Sequence, residues 1–147
     1  MGAPRRTKSA QNRQTPKWLF NWISAQVMRL GKTIMLDAAA SYNNALCDVY
    51  YTEQEDGLQH EWSEFGYTFF NPPYNNCAAW VKKATHEMNL GRPSIGLFPA
   101  SVDTAWFREA AAYGYVVFLY PRFHMASPDY PNEKAAPNGG NVLIWFD

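Results

Sequence analysis

Cysteine, histidine and long apolar runs are scarce in this sequence, and each shortage excludes a class of protein. The two cysteines, Cys47 and Cys77, are too few for a disulfide framework, so we expect a reducing, cytoplasmic setting. The three histidines lack partners at metal-ligand spacing, so no metal site is expected. Apolar runs such as Val116–Tyr120 are far shorter than the roughly 20 residues that span a bilayer, and the first residues lack a signal-peptide stretch. The sequence therefore predicts neither a membrane nor a metal as a partner.

Charge is balanced over the 147 residues but unevenly distributed. Residues 1–17 contain five of the thirteen basic side chains and no acidic one, which leaves eight bases and thirteen acids in the remainder. We interpret residues 1–14 as a flexible basic arm and residues 15–147 as one domain, since 47% hydrophobic residues suffice for a core. The arm either contacts phosphates or is a solubilising tail, and the composition leaves both open.

Apolar spacing, caps and turn residues predict alternating helices and strands. Thr15-Pro16 is typical of a helix start, with Thr15 as the N-cap, and Gly31 of its end. The elements predicted after it are strand Thr33–Asp37, a short helix at 42–47, strands Val49–Tyr51 and Tyr67–Phe70, a helix from Cys77 to Gly91, strand Ser94–Phe98, helix Asp103–Tyr113, strand Val116–Tyr120, a loop at 121–140 and strand Asn141–Phe146. In the helix after position 103, Trp106, Ala110 and Tyr113 are expected to face inward.

The strands are apolar on both faces and are separated by helices. This pattern favours an α/β fold with a mostly parallel sheet covered on both sides. The loop before Asn141–Phe146 suits an antiparallel last strand at the edge of the sheet.

The most informative segment, Phe69–Tyr74, has the sequence Phe-Phe-Asn-Pro-Pro-Tyr and follows a predicted strand. Open α/β sheets bind ligands at the carboxyl ends of their strands. Pro72 and Pro73 lack N–H groups and fix φ, so the turn is rigid and presents carbonyl groups. An amino group there can donate one N–H to the Asn71 side-chain oxygen and the other to the Pro72 carbonyl, which aims its lone pair at an incoming methyl group. Tyr74 offers a flat face for a planar base or amide, and stacking needs the ring and not the hydroxyl.

Two further segments are weaker signals. Leu36–Ser41 ends a strand with Asp37, Ala38 and Ala39, and small residues let a ligand approach the backbone. An aspartate that caps the next helix explains the same pattern equally well. Residues 56–58 are by themselves an acidic turn, and Arg122 follows a strand near the expected position of Asn71.

Taken in order, these segments resemble the phage-type DNA N6-adenine methyltransferases, the small Dam-like family. The matching segments are Thr15-Pro16, Leu36–Ser41, Asn43–Cys47, Thr52-Glu53, Asp56–Leu58, Trp62, Phe70–Tyr74, Trp80–Ala84, Pro99-Ala100, Asp103-Thr104, Trp106-Phe107 and Arg122-Phe123. They extend from Thr15 over nearly all of the remaining chain. The Pro-Pro motif is specific by itself, and the others gain weight from their order.

The resemblance implies a single-domain, Rossmann-like methyltransferase sheet that binds S-adenosylmethionine at the carboxyl ends of its strands. It implies cofactor contacts from Thr15, Pro16, Asp37, Ala38, Ala39, Asp56, Leu58 and Asn71. Asp37 and its neighbours would face the methionine part, and Asp56 the ribose or adenine. Asn71, Pro72, Pro73 and Tyr74 would hold the target amine, and Arg5, Arg6, Lys82, Arg122 and Phe123 would contact DNA.

Two departures from the family pattern are present, and the second affects sequence specificity. Alanines replace the glycine-rich cofactor turn, and residues 127–140 form the one loop of any size that could recognise a target sequence. Whether the protein needs a partner or a homodimer for its activity therefore stays open. If a phage encodes the chain, the expected location is the cytoplasm of the host. Because the motif recognises an amine and not a base, RNA, cytosine N4 and protein glutamine remain alternative substrates. A catalytically inactive module that binds nucleic acid or a host protein is the non-enzymatic alternative.

Overall fold

A mixed β-sheet organises the chain in the computed structural model, which describes residues 14–123, 125 and 140–147. In the described residues the elements are α1 Lys17–Arg29, β1 Ile34–Asp37, β2 Tyr67–Phe70, a 3-10 helix Tyr74–Asn76, α2 Cys77–Asn89, β3 Ser94–Pro99, α3 Ala105–Tyr113, β4 Tyr115–Phe118 and β5 Asn141–Phe146. The predicted strand Tyr67–Phe70 and the last strand are confirmed with the same bounds. None of these helices is long and apolar enough to cross a membrane.

The sheet order is β1-β2-β3-β5-β4. The pairs β1–β2 and β2–β3 are parallel, whereas β5 runs antiparallel to both of its neighbours. The antiparallel last strand is therefore confirmed, but its predicted place at the edge is wrong, because β5 lies between β3 and β4. As a result the amino end of β5 lies beside the carboxyl end of β3, where Asn141 pairs with Pro99.

Alternation of side chains along the inner strands builds two cores, as the period of a strand requires. One face of the sheet packs on α2 and α3, and the other packs on α1. The first core contains Phe70, Trp80, Val81, Phe98, Phe107, Ile144 and Phe146, and the second contains Leu19, Ile23, Val27, Phe69, Ile95, Leu97 and Leu143. The prediction of a sheet covered on both sides is confirmed for the inner strands.

The outer strand β4 is more exposed than its apolar sequence predicts. It spans Tyr115–Phe118 and not Val116–Tyr120, and three of its four side chains are exposed. The inward direction predicted for α3 side chains is confirmed for Ala110, which is buried, and for Trp106, which is half-buried against Phe98. It is wrong for Tyr113, which is exposed, and Phe107 is buried without having been predicted so.

The segment between β1 and β2 contains less regular structure than predicted. Residues 42–47 form turns and not a helix. Their backbone is instead bound by side chains, since the Leu46 N–H donates to Asp37 Oδ2 at 3.1 Å. The strand predicted at Val49–Tyr51 is reduced to one parallel bridge between Tyr50 and Asp37.

A buried ion network supports the carboxyl-terminal half of α2. The Glu87 side chain is 1% exposed and accepts hydrogen bonds from Lys83 Nζ at 2.7 Å and Arg92 Nη1 at 3.0 Å. Lys83 also lies over the Trp62 ring, 5.8 Å from its centroid. Trp62 stacks with Trp80, so the network connects the helix to the first core. Burial by itself would raise the pKa of the Glu87 carboxyl, but the hydrogen bonds and charges of Lys83 and Arg92 together outweigh it and hold that pKa below its usual range.

Candidate active site

The motif Asn71-Pro72-Pro73-Tyr74 directly follows β2, as predicted. Asn71 Nδ2 donates to Thr15 Oγ1 at 3.1 Å, so the segment before α1 meets the carboxyl end of the sheet. The predicted N-cap role of Thr15 is wrong: Pro16 is the N-cap residue, and among the described residues no side chain caps the helix. The bond to Thr15 orients the carboxamide of Asn71, with its nitrogen toward Thr15.

The turn after Asn71 is short and internally bonded. Pro72 is buried, and the Pro73 carbonyl accepts from the Asn76 N–H at 3.0 Å within the 3-10 helix. The two prolines and this bond fix the direction in which the chain enters α2. The motif is thus held from both sides, by β2 before it and by α2 after it.

Tyr74 is half-buried and packs against the second core. Its hydroxyl oxygen accepts from Asn141 Nδ2 at 3.1 Å. Sequence reasoning missed Asn141. Its position as the first residue of an antiparallel strand was a usable signal, because such a strand begins where its parallel neighbours end.

Asp37, at the carboxyl end of β1, is 3% exposed. Its carboxylate accepts from the Leu46 N–H at 3.1 Å and from the Ala39 N–H at 3.4 Å, which binds the following loop. Burial raises the pKa of Asp37 from an ordinary 3.8 to about 6, while the two amide bonds oppose the rise. No Lys or Arg of the described residues forms an ion pair with this carboxylate.

The raised pKa of Asp37 predicts a specific dependence of stability on pH. Because the pKa is higher in the folded than in the unfolded chain, folding favours the protonated acid, and raising the pH from about 4 to 6 lowers the free energy of unfolding. A shift of two units corresponds to about 3 kcal/mol. Asp37→Asn removes this contribution, so we expect the variant to gain about that much relative to wild type between pH 4 and pH 7.

Urea unfolding of both proteins at the two pH values measures the difference. Asp48→Asn is the matched control, since Asp48 is exposed and the same charge is removed. An equal stability difference between Asp37→Asn and wild type at pH 4 and pH 7 would contradict the prediction.

A turn at Asp56 lies beside the end of β1. Asp56 has a φ of 59°, in the left-handed region, and its side chain accepts from the Leu58 N–H at 3.1 Å. The next residue must be glycine, because a Cβ at Gly57 would lie 2.1 Å from the Ala38 carbonyl oxygen. The structure therefore brings together the two segments predicted to bind the cofactor, around 37–39 and around 56–58.

The residues predicted to contact DNA are more scattered. Lys82 is exposed on α2, and Arg122 is exposed after β4. Phe123 is half-buried, packs against the same core as Tyr74, and meets the ring of Trp18 edge-on at 5.3 Å. Trp18 is 58% exposed in the first turn of α1, three residues after Thr15, and no sequence pattern marked it as a site residue. Arg5, Arg6 and nearly all of the basic arm, like most of the loop at 127–140, lie outside the described residues.

Two clefts open on other parts of the surface. One of about 240 Å³ lies at the amino ends of the strands beside Tyr67 and Pro93, and another of about 500 Å³ lies beside His60 and Arg92. Neither contains a residue of the motif. In the described ranges no group of three His, Cys, Asp or Glu side chains could hold a metal ion. The chemistry of the side chains, and not the size of a cavity, therefore marks the carboxyl edge of β1 and β2 as the candidate site.

Comparison with known proteins shows to which family the chain belongs. The model of the family described as DNA N-6-adenine-methyltransferase (Dam) matches residues 5–147. The chain belongs to the Dam family. This Dam-family chain is 39% identical over 75 residues to a DNA N-6-adenine-methyltransferase of Escherichia phage T1. The aligned part covers 51% of the chain and 32% of the phage protein, so the chain matches about a third of that relative's length.

Proposed function

We propose that the chain transfers a methyl group from S-adenosylmethionine to the N6 amino group of adenine in DNA. The Dam-family match and the motif at the carboxyl end of β2 support this activity. We further propose that residues 15–147 form the methyltransferase domain, with a sheet of the Rossmann-like methyltransferase type. Residues 1–14 then serve as a basic arm on DNA phosphates, and a homodimer and a cytoplasmic location stay predictions.

The chemistry of the candidate site fits the proposed cofactor. S-adenosylmethionine has an α-ammonium group, and the buried Asp37 carboxylate forms no ion pair with a cation of the described residues. A cation beside it would restore the charged form that burial disfavours. Asp56 and Leu58 lie on the adjacent turn, and we propose that they contact the ribose or adenine. We propose that these residues, with Ala38 and Ala39, hold the cofactor, while Thr15 and Pro16 lie beside it.

The residues of the motif then act on the target amine by positioning it. The Asn71 Oδ1 and the Pro72 carbonyl oxygen accept its two N–H bonds, which directs the nitrogen lone pair away from both. Bound S-adenosylmethionine would supply the electrophilic methyl group, whose bond to the sulfonium sulfur breaks as the bond to the nitrogen forms, with S-adenosylhomocysteine as the leaving group. The methylated nitrogen is acidic enough to lose its proton to water, so Asn71 need not act as a base. Correct placement supplies most of the rate.

The hydrogen bond from Asn71 to Thr15 is the observation that carries this mechanism. It places the carboxamide nitrogen at Thr15, so the acceptor oxygen has a defined direction before substrate arrives. A preorganised acceptor needs no reorganisation at the moment of reaction, which is the condition for a large catalytic effect.

The proposed function is tested by transfer of a labelled methyl group to DNA, RNA and protein in parallel, followed by identification of the product. We expect N6-methyladenine in DNA. If the main product is N4-methylcytosine, methylated RNA or a methylated glutamine amide, the proposed substrate is wrong. The proposed role of the motif in methylating an amino group would still hold. Absence of transfer to all three by a folded protein that binds DNA would favour the inactive module.

The proposed contact between Asp37 and the cofactor predicts weaker binding when its charge is removed. Asp37→Asn keeps an acceptor oxygen for the loop but cannot pair with an ammonium group, so we expect about tenfold weaker binding of S-adenosylmethionine, the lower end of what a hydrogen bond to a charged group is worth. In the wild type the affinity should also fall as the pH drops below about 6, since the acid is then protonated.

Titration calorimetry at pH 5.5 and 7.5 measures both effects, with Asp48→Asn as the control. Equal affinity of wild type and Asp37→Asn at pH 7.5 would restrict Asp37 to binding the loop at 38–46.

A further inference from the structure

Asn141 lies where three parts of the fold meet. It is the first residue of β5, and it pairs with Pro99 at the carboxyl end of β3. Its backbone carbonyl accepts from the Leu119 N–H at 3.1 Å, just beyond β4. The residue is 4% exposed, so its polar side chain needs partners within the protein.

The carboxamide nitrogen of Asn141 has two such partners. Nδ2 donates to the Tyr74 hydroxyl oxygen at 3.1 Å and to the Phe98 carbonyl oxygen at 3.3 Å. A carboxamide nitrogen carries two hydrogens, so one bond goes to each acceptor. The bond to the Phe98 carbonyl connects Asn141 to the neighbouring strand β3. It fixes the position of the carboxamide nitrogen that also donates to the Tyr74 hydroxyl oxygen.

We infer that Asn141 is a positioning residue that holds the ring of Tyr74 in place for the target base; this inference rests on the proposed function. The hydroxyl oxygen of a tyrosine lies on the axis about which its ring flips. A hydrogen bond there leaves the flips free but fixes the direction of the axis, and therefore where the ring face lies. This hydrogen bond connects Tyr74, the last residue of the motif, to β5. The bond between Asn71 and Thr15 likewise holds the first residue of the motif.

This role gives the Tyr74 hydroxyl a purpose that stacking alone does not require. Stacking needs a ring face, so by itself it predicts that Tyr74→Phe is silent. With the bond to Asn141, Tyr74→Phe and Asn141→Leu both remove that bond, and Asn141→Leu also removes the bond to the Phe98 carbonyl. The loss falls on capture of the base, because Tyr74 stacks on it, and the methyl-transfer step itself keeps Asn71 and Pro72.

A double-mutant cycle in DNA methylation tests the inference. We expect each single variant to raise KM for DNA about tenfold with kcat little changed, which is the upper range for one neutral hydrogen bond. The double variant should show about the same tenfold rise, since the bond can be lost once only. An unchanged KM in Tyr74→Phe, or a hundredfold rise in the double variant, would overturn it.

Two controls separate positioning from simple loss of structure. Ser94→Ala removes a buried hydroxyl that has no hydrogen-bond partner in the described residues, at the opposite end of the sheet, and should leave KM unchanged. Where Asn141→Leu does not fold, because it also deprives Phe98 of a donor, Tyr74→Phe alone decides the outcome through KM.

A measurement without substrate distinguishes failure of this inference from failure of the proposed function. The carbon-13 resonance of the Tyr74 Cζ atom, assigned with Tyr74→Phe, should shift in Asn141→Leu and not in Ser94→Ala. A Tyr74 resonance that does not move would overturn the contact. Absence of methyl transfer by the wild type, with the resonance shifted as expected, would overturn the proposed function and leave the bond between Asn141 and Tyr74 established.

Discussion

Replacing Asn71 with alanine should slow methylation of DNA at least about a hundredfold in single-turnover experiments, with little change in the affinity for DNA. The carboxamide oxygen is proposed to orient the target nitrogen at the transition state, and Thr15 holds that carboxamide in place. Loss of one preorganised interaction of this kind costs on the order of 3 kcal/mol. Pro72 and Pro73 remain to hold the turn, so the protein should keep its fold.

The matched control is Asn75→Ala, the same truncation at an exposed position in the neighbouring 3-10 helix. It should retain wild-type rates. Thr15→Val, which removes the acceptor for Asn71 Nδ2, should give an intermediate loss, because the carboxamide then loses one of the bonds that orient it. Full activity in a folded Asn71→Ala protein would remove the motif as the site of chemistry.

Replacing Glu87 with alanine should lower the free energy of unfolding by about 3 kcal/mol, or the melting temperature by about 6–12 °C. The side chain is 1% exposed and is the common acceptor of Lys83 and Arg92. Its loss leaves two partly buried cations facing each other. The cost should stay near the lower end for a broken buried pair, since both cations retain some contact with water.

Calorimetric melting at pH 7 measures the effect, with Glu53→Ala as the control because Glu53 is exposed. The sign of the pH dependence is opposite to that of Asp37. The pKa of Glu87 is lowered in the folded chain, so its stabilisation is present at neutral pH and is lost as the pH falls below about 4. If Glu87→Ala has the same melting temperature as the wild type at pH 7, the network makes no net contribution to the free energy of unfolding.

Local patterns were sufficient to predict the elements that carry the motif. Tyr67–Phe70 is a short apolar run that ends at two prolines, so both its type and its carboxyl end follow from nearby residues. The helix after it has one apolar face and ends at Asn89, two residues before Gly91, whose φ of 80° few other residues adopt. The proximity of Asp37 and Asn71 depends in addition on strand order, because β1 and β2 are parallel neighbours in the sheet.

Long-range contacts account for what the sequence did not show. Residues 42–47 form turns and not the predicted helix, and there the buried Asp37 carboxylate accepts a hydrogen bond from the Leu46 N–H. No local sequence pattern predicts this bond. Thr15 binds Asn71 instead of capping its own helix, and Asn141 reaches Tyr74 across the sheet. In each case a polar side chain satisfies a partner distant in sequence, and the partner is set by strand order and not by spacing.

The place of β5 between β3 and β4 has a consequence for biosynthesis. β5 is the last of the described strands along the chain, so the ribosome completes β3 and β4 before their shared neighbour exists. Until residues 141–146 emerge, both strands expose hydrogen-bonding edges to the cell, and unpaired edges promote misassembly. A nonsense codon at position 141 would therefore remove an inner strand of the sheet and not its margin. Such a truncated product would be a substrate for chaperones and proteases rather than a weaker enzyme.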